Sequence, residues 1–322
     1  MAAEHPHIGI ERIAIIGVGA VGATTAYALM QSGLASEILL YDQDLAKAEG
    51  EMMDLQHCLP FTEHVAMSIA ELDAIRNCDL IVVAAGAPRS PDEPRESFVE
   101  RSAQALESFM EPLARQNGRA LFLIITNPVD IMTRVALRFS HLPTRQVVGS
   151  GTLLDTARFR TLISSHCKIL PRHVHAYVVG EHGQNEVPVW SRAMIGPFHI
   201  SEYCDMHGIT LGPDETESIN RDVREAASRI QQRKGATHFA IGLAAARLAH
   251  ALSLNQDSVF TVSRRFEGMY RLQSVCLSMP TLVNREGAHK HFELDFSSTE
   301  RDALMKGAEK VHKEYEKLGL GD

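Results

Sequence analysis

The segment GVGAVG constrains this chain more than any other stretch. It sets Gly17, Gly19 and Gly22 in G-x-G-x-x-G spacing, directly after the apolar run RIAIIGVG (12–19) and at the head of a helical pattern over 21–33. A strand that turns tightly on glycine into a helix is the first half of a βαβ unit, and such units build parallel sheets. The following residues repeat the alternation. EILLYD (37–42), DLIVVAAG (79–86), ALFLIIT (120–126) and QVVGSG (146–151) are short Ile/Leu/Val-rich runs that suit strands buried on both faces. Helical patterns over 97–117 and 128–140 separate them. The expected first half is therefore a Rossmann-type doubly wound parallel sheet, residues 1–149.

The second half, 150–322, reads as a mixed α/β substrate domain. VHAYVVG (174–180) and the 258–283 region are expected strands, flanked by long helices over 213–233 and 235–252. The last helix carries a capping box, Ser297 with Glu300, and an apolar stripe of Leu304, Ala308, Val311, Tyr315 and Leu318.

Composition excludes several function classes. A formal charge of −8 without a basic block argues against sequence-independent nucleic-acid binding. No apolar run reaches the roughly 18–20 residues of a membrane span, and the N-terminus lacks the basic start and apolar core of a signal peptide, so a cytoplasmic protein is expected. Five scattered cysteines with no C-x-x-C suit idle thiols in a reducing compartment. Among the sixteen histidines, His173/His175 and His289/His291 are i, i+2 pairs and no His-Glu-x-x-His occurs, so no metal is expected.

In the glycine segment each residue has a physical task. Gly17 makes the tight turn, Gly19 lets the backbone approach a pyrophosphate, and Gly22 lets helix and sheet pack closely. Backbone N–H groups at the helix start then face the phosphates. Asp42 follows Gly22 by twenty residues at the end of the second strand. A carboxylate there accepts hydrogen bonds from ribose hydroxyls and repels a 2′-phosphate, favouring NAD over NADP. A similar turn occurs in enzymes that bind S-adenosylmethionine, so the remaining residues must decide.

Two further segments offer acid–base and anion-binding groups. GEHGQNEVP places His182 at a strand end, and GTLLDTARFR offers Asp155 and Arg158 three residues apart on one helix face. Histidine titrates near neutral pH and can deliver the proton that reduction of a carbonyl requires. A carboxylate on its other ring nitrogen fixes the tautomer, and a guanidinium binds a carboxylate through two parallel hydrogen bonds. From spacing alone, a surface helix pair and an ordinary strand-end histidine remain open readings. GAPRSPDEPRESF (86–98) packs three prolines and two arginines, Arg89 and Arg95, into an expected exposed loop.

IGVGAVGATTAYAL, KAEGEMMDLQH, TNPVDI, GSGTLLDTARFR, VHAYVVGEHG, VPVW and KGATHFAIG, in this order, resemble the lactate/malate dehydrogenase family over residues 12 to about 320. The resemblance implies that His182 is the general acid/base and that Asp155 orients it. It implies that Arg158 grips the substrate C1 carboxylate and that Arg95 polarises the carbonyl from a loop that folds over the substrate. Asn127 then borders substrate and nicotinamide, and Thr237 lines the pocket. Gly17, Gly19, Val21, Gly22, Asp42, Lys47, Gly86, Ala87, Ser108, Asn127 and Ser150 match the family's NAD contacts. The resemblance further implies a 2-keto or 2-hydroxy acid substrate and a homodimer or homotetramer. Arg160 and His175 match positions that bind fructose 1,6-bisphosphate between subunits in allosteric bacterial lactate dehydrogenases, and ordinary interface residues are the other reading.

The sequence departs from the family pattern at Gln184, at Asp92 and, most of all, at Arg89. Lactate enzymes usually carry Gln at the Arg89 position and malate enzymes Arg. The expected substrate pair is therefore oxaloacetate/malate on a lactate-type scaffold, with pyruvate/lactate as the alternative. A short-chain dehydrogenase is disfavoured because no Tyr-x-x-x-Lys occurs. A non-catalytic NAD sensor is disfavoured because the acid–base and clamp residues are all present.

Overall fold

The computed structural model describes residues 10–87, 94–268, 270 and 273–320. Six parallel strands form the first half: β1 (Arg12–Ile16), β2 (Glu37–Tyr41), β3 (Ala66–Ile69), β4 (Leu80–Val83), β5 (Leu121–Ile124) and β6 (Val147–Gly149). They lie in the order β3-β2-β1-β4-β5-β6. Helices α1 (Ala20–Ser32), α2 (Leu45–Gln56), α3 (Arg95–Gln116) and α4 (Val129–Ser140) connect them. This is the expected doubly wound sheet.

The near-continuous apolar runs follow from burial on both faces. Ile16, Ile81, Val83, Phe122 and Ile124 enter one core, while Ile13, Ile15, Leu80, Val82, Leu121 and Leu123 enter the other. Alternate residues of one strand thus serve opposite layers. Two elements of this half have no counterpart in the sequence reading. The edge strand β3 has only half-buried and exposed residues, and α2 is dominated by charged and small residues. Neither has the apolar density that marks its neighbours.

The sheet does not end at β6. The elements that follow are α5 (Leu153–Cys167), β7 (Val174–His175), β8 (Val178–Gly180), β9 (Glu186–Pro188), β10 (Met194–Ile195), β11 (Phe198–His199), α6 (Ile200–His207), α7 (Pro213–Lys234) and α8 (Phe239–Ser253). After them come β12 (Ser258–Glu267), β13 (Gln273–Asn284), β14 (Gly287–His291) and α9 (Ser298–Lys317). Strand β12 pairs antiparallel with β6 at Ser263 and Gly149, so the parallel sheet continues as β6-β12-β13-β8-β9. The expected mixed architecture of the second half is present.

The single strand expected over 174–180 is divided. β7 joins a separate sheet with β10 and β11, while β8 joins the main sheet. Between them the Ala176 carbonyl accepts Arg160 Nε at 2.8 Å, and Val178 N donates to Thr156 Oγ1 at 2.9 Å. Side chains of α5 satisfy backbone groups that a continuous ladder would have used. The capping box of α9 forms as expected, with Glu300 N donating to Ser297 Oγ and Ser297 N to Glu300 Oε2. Leu304, Ala308, Val311 and Tyr315 are buried. Leu318 lies past the helix end and is only half-buried.

Candidate active site

The glycine turn builds one half of the site. Gly17 has φ +93°, and a Cβ there would meet the Ala85 backbone at 2.5 Å. A Cβ on Gly22 would fall 1.9 Å from the Gly17 carbonyl oxygen. A Cβ on Gly19 would approach only Lys47 Nζ, at 3.5 Å, so this glycine opens space and does not relieve a clash with the chain. No side chain caps the first turn of α1, which leaves its N–H groups for an anion.

Beside the turn is a cavity of about 650 Å³, lined by Gly17, Gly19, Asp42, Lys47, Gly86, Ala87 and Ser108 among others. Asp42 stands at the end of β2. Its Oδ2 accepts Val18 N at 2.9 Å and lies 3.3 Å from Lys47 Nζ. The open cradle at Gly19 and a carboxylate at the ribose end fit a dinucleotide with an unmodified 2′-hydroxyl. Val21 is half-buried in the first turn of α1, and Ser150, buried, follows β6. Asn127 is exposed at the end of the β5 segment, before a cis proline, Pro128. Thr237 is half-buried in the connection from α7 to α8.

The other half is the acid–base pair. The first turn of α5 presents Asp155, 1 % exposed, to two partners. Its Oδ2 is 2.6 Å from His182 Nδ1, and its Oδ1 accepts Arg158 Nη1 at 2.6 Å. His182 sits in the turn between β8 and β9, and its backbone N–H donates to Asp130 Oδ2 at 2.7 Å. Asp130 is buried in α4 and also accepts Ser263 Oγ from β12. The turn that carries the histidine is thus fixed from a different layer than its ring.

The electrostatics follow from this packing. Burial alone would raise the Asp155 carboxyl, but the His182 and Arg158 cations together hold it below the usual carboxylate range. Burial works against a charged His182. The charge and hydrogen bond of Asp155, with Asp130 and Glu186 behind it, overcome burial and raise the ring to about 9. The imidazolium is therefore the resting form at neutral pH, with Nδ1 committed to Asp155 and Nε2 left to exchange a proton. Burial raises Asp130 to about 6, against the hydrogen bonds it accepts.

The structure thus assembles Asp155, Arg158 and His182 as expected. Arg89 and Asp92 lie outside the described residues. Arg95 opens α3, as the first residue of that helix. Arg160 is turned into its own lobe, with Nε on the Ala176 carbonyl and its guanidinium 5.1 Å from the Tyr177 ring centroid. His175 is exposed on β7. Sequence reasoning missed Asp130, Ser263 and Glu186. Asp130 was visible in TNPVDI three residues after Asn127, but only the tertiary contact with His182 shows its task.

Comparisons with known proteins agree with this geometry. The lactate/malate dehydrogenase NAD binding domain matches residues 11–149, and the lactate/malate dehydrogenase alpha/beta C-terminal domain matches residues 152–319. An L-lactate dehydrogenase of Thermoanaerobacter sp. (strain X514) is 40% identical over 311 residues, 97% of this chain and 100% of its own length. An L-lactate dehydrogenase of Thermus aquaticus is 40% identical over 298 residues, 92% of this chain and 96% of its own length. Among solved structures, the minor L-lactate dehydrogenase from Enterococcus mundtii, in a ligands-bound form, superposes with a TM-score of 0.92 at 30% identity. That match covers 96% of this chain and 98% of the other. A lactate dehydrogenase enzyme from a Medee basin deep-sea metagenome library gives 0.93 at 32% identity, covering 97% and 99%.

Proposed function

The chain belongs to the lactate/malate dehydrogenase family and is an NAD-dependent 2-hydroxy acid dehydrogenase, and on that premise we propose that its substrate pair is pyruvate and L-lactate. The observation that carries the substrate reading is the near full-length match, at 40% identity, to relatives named L-lactate dehydrogenase. It favours pyruvate over the malate expectation, which rested on one loop residue.

NAD, when bound, supplies or accepts the hydride. The glycine turn and Asp42 hold it, and the protein's own residues do the rest. Arg158 keeps one guanidinium nitrogen on Asp155 and offers the other edge to the substrate C1 carboxylate, which aligns the C2 carbonyl. Arg95 stabilises the charge that develops on the carbonyl oxygen. His182 delivers its Nε2 proton to that oxygen, and Asp155 holds the ring in the donating tautomer throughout. Oxidation of the hydroxy acid returns the proton to His182. Asn127 and Thr237 border the substrate in this reading, and Val21, Lys47, Gly86, Ala87, Ser108 and Ser150 serve the cofactor. The reading divides the chain at 149/150 into a cofactor domain and a substrate domain.

Arg89 supports a second reading, oxaloacetate and malate. Its guanidinium would pair with the second carboxylate of oxaloacetate, whereas pyruvate offers only a methyl group. The test is kcat/KM for pyruvate against oxaloacetate, in the parent and in Arg89→Gln. If pyruvate is the substrate, Arg89 is not called on to bind a second carboxylate. Pyruvate is then preferred in both proteins, and the substitution changes either constant by less than about threefold. If Arg89 meets the substrate, an unpaired buried charge costs several kcal/mol, and each ~1.4 kcal/mol is tenfold. A parent preference for oxaloacetate of about 10²–10³, lost in Arg89→Gln, would establish the malate reading.

We assign the exposed apolar surface to a second copy of this chain. Met53 on α2 (60 % exposed), Phe61 beyond it (85 %) and Phe239 and Leu243 on α8 (69 and 68 %) are large apolar side chains left exposed. Between α5, α7 and α8 lies a mostly apolar groove of about 530 Å³, which Arg158 also lines. Fructose 1,6-bisphosphate binding at Arg160 and His175 is the companion proposal, although Arg160 would have to leave Ala176. Sedimentation with and without the sugar bisphosphate tests both. A dimer or tetramer that tightens with the ligand is expected; a monomer removes the first assignment, and an unchanged profile removes the second. Among the described residues no helix is long and apolar enough to cross a membrane, and a cytoplasmic location is proposed.

A further inference from the structure

Glu186 is a buried acid that the mechanism above does not use. It opens β9 and pairs with Gly180 of β8, so the hairpin that carries His182 in its turn folds Glu186 back beside the ring. A carboxylate oxygen of Glu186 lies within 4.8 Å of a ring nitrogen of His182 and of an oxygen of Asp155. The side chain is 6 % exposed, and among the described residues its Oε1 is buried without a hydrogen-bond partner. A buried carboxyl with an orphan oxygen destabilises a fold, and an apolar side chain of similar size would serve packing better. Its position against the acid–base pair calls for a different account.

We propose that Glu186 is a positioning residue of the proton-transfer unit, whose carboxyl fixes how firmly His182 keeps its proton and so the pH at which the site stops reducing keto acids. The inference rests on the reading of His182 as the proton donor.

The charged and titratable groups around Glu186 come from three directions. Asp155 and Arg158 face it from α5, His182 from the preceding turn, and Arg224 from α7. Burial and, after it, the Asp155 charge disfavour ionisation, against the three cations, and push the carboxyl up to about 8. While Glu186 is protonated, His182 faces the charges of Asp155 and Asp130 without that of Glu186. Once Glu186 has lost its proton, its charge lies within 4.8 Å of a ring nitrogen of His182. The new negative charge then stabilises the imidazolium, which keeps its proton to about 9. The two protons leave the cluster as linked steps. The device extends the proton-donating form to higher pH without placing a permanent second anion beside Asp155.

The experiment is the pH profile of kcat/KM for keto-acid reduction, from about pH 6 to 10, in the parent, Glu186→Gln and Glu186→Asp. An opposite charge within about 4–6 Å shifts a titration by one unit or more. Glu186→Gln should therefore move the alkaline limb down by about one pH unit. At pH ~9 its rate, relative to its own value at pH ~7, should be about fivefold below that of the parent. Glu186→Asp keeps a carboxyl and should return the limb towards its parent position. A merely structural role would lower the melting temperature and leave the limb where it is. Should the glutamine variant not fold, Glu186→Met, of similar volume and without an orphan oxygen, carries the same expectation. A limb that stays in place in Glu186→Gln or Glu186→Met overturns the inference alone. A parent profile with no alkaline limb overturns His182 as donor and the inference with it.

Discussion

Replacing His182 with asparagine is expected to remove nearly all turnover while leaving NADH binding intact. Asparagine can keep a hydrogen bond to Asp155 but has no proton to give at any accessible pH. General acid–base groups supply on the order of 10²–10⁴-fold. The loss here should reach the upper end, because the group replaced is a cation held by an ion pair at 2.6 Å and not a neutral donor. NADH affinity, read by fluorescence, should stay within about twofold, since the glycine turn and Asp42 lie on other elements and touch neither His182 nor Asp155. Near-normal kcat would dismiss His182 as the proton donor. Intact kcat with weakened NADH binding would mean that the ring serves the cofactor.

Why this histidine was legible and its supports were not is a question of range. GEHG and LLDTAR are local patterns, and the three residues they supply meet because α5 packs against the β8–β9 hairpin. The parallel strands were legible for a similar local reason: burial on both faces forces unbroken apolar runs such as LIVV and LFLI. The edge strand β3 and helix α2 do not bury enough apolar surface to show a period. The division of 174–180 depended on Arg160 and Thr156 capturing backbone groups from a helix that precedes it. No window of the strand itself contains that information.

Asp130 and Glu186 illustrate the harder case. Each is an acid bordered by apolar residues on one side at least, VDI and EVPVW, and neither segment marks it as buried. Their burial beside His182 is a property of three elements at once. Substrate choice is harder still. The resemblance covers almost the whole chain and fixes the reaction class, whereas the malate reading turns on a single residue, Arg89. A scaffold does not decide what such a residue pairs with.

Arg158 carries the second large prediction. Its side chain is 16 % exposed and its Nη1 is held by Asp155, so one edge of the guanidinium is fixed by the protein and the other is presented in a set plane. In the proposed reading a substrate carboxylate meets two parallel N–H donors there, and hydrogen bonds to charged groups contribute about 1.5–3 kcal/mol each. Arg158→Gln should therefore lower kcat/KM for the keto acid by about 10²–10⁴, at ~1.4 kcal/mol per factor of ten. Arg158→Lys keeps the charge but loses the fork, and should recover part of the affinity but little of the alignment. KM should improve relative to the glutamine variant while kcat remains depressed, because a point charge does not aim the carbonyl at the hydride donor and His182. The glutamine variant also removes a cation from Asp155. That carboxylate then acts on His182 alone, so the alkaline limb of the residual activity should move to higher pH, opposite to the shift expected for Glu186→Gln. Steady-state kinetics over the same pH range, with NADH affinity as the control, checks both effects. Equal kcat/KM in the parent and Arg158→Gln would make the Arg158–Asp155 contact a helix-surface ion pair, with the substrate carboxylate bound elsewhere.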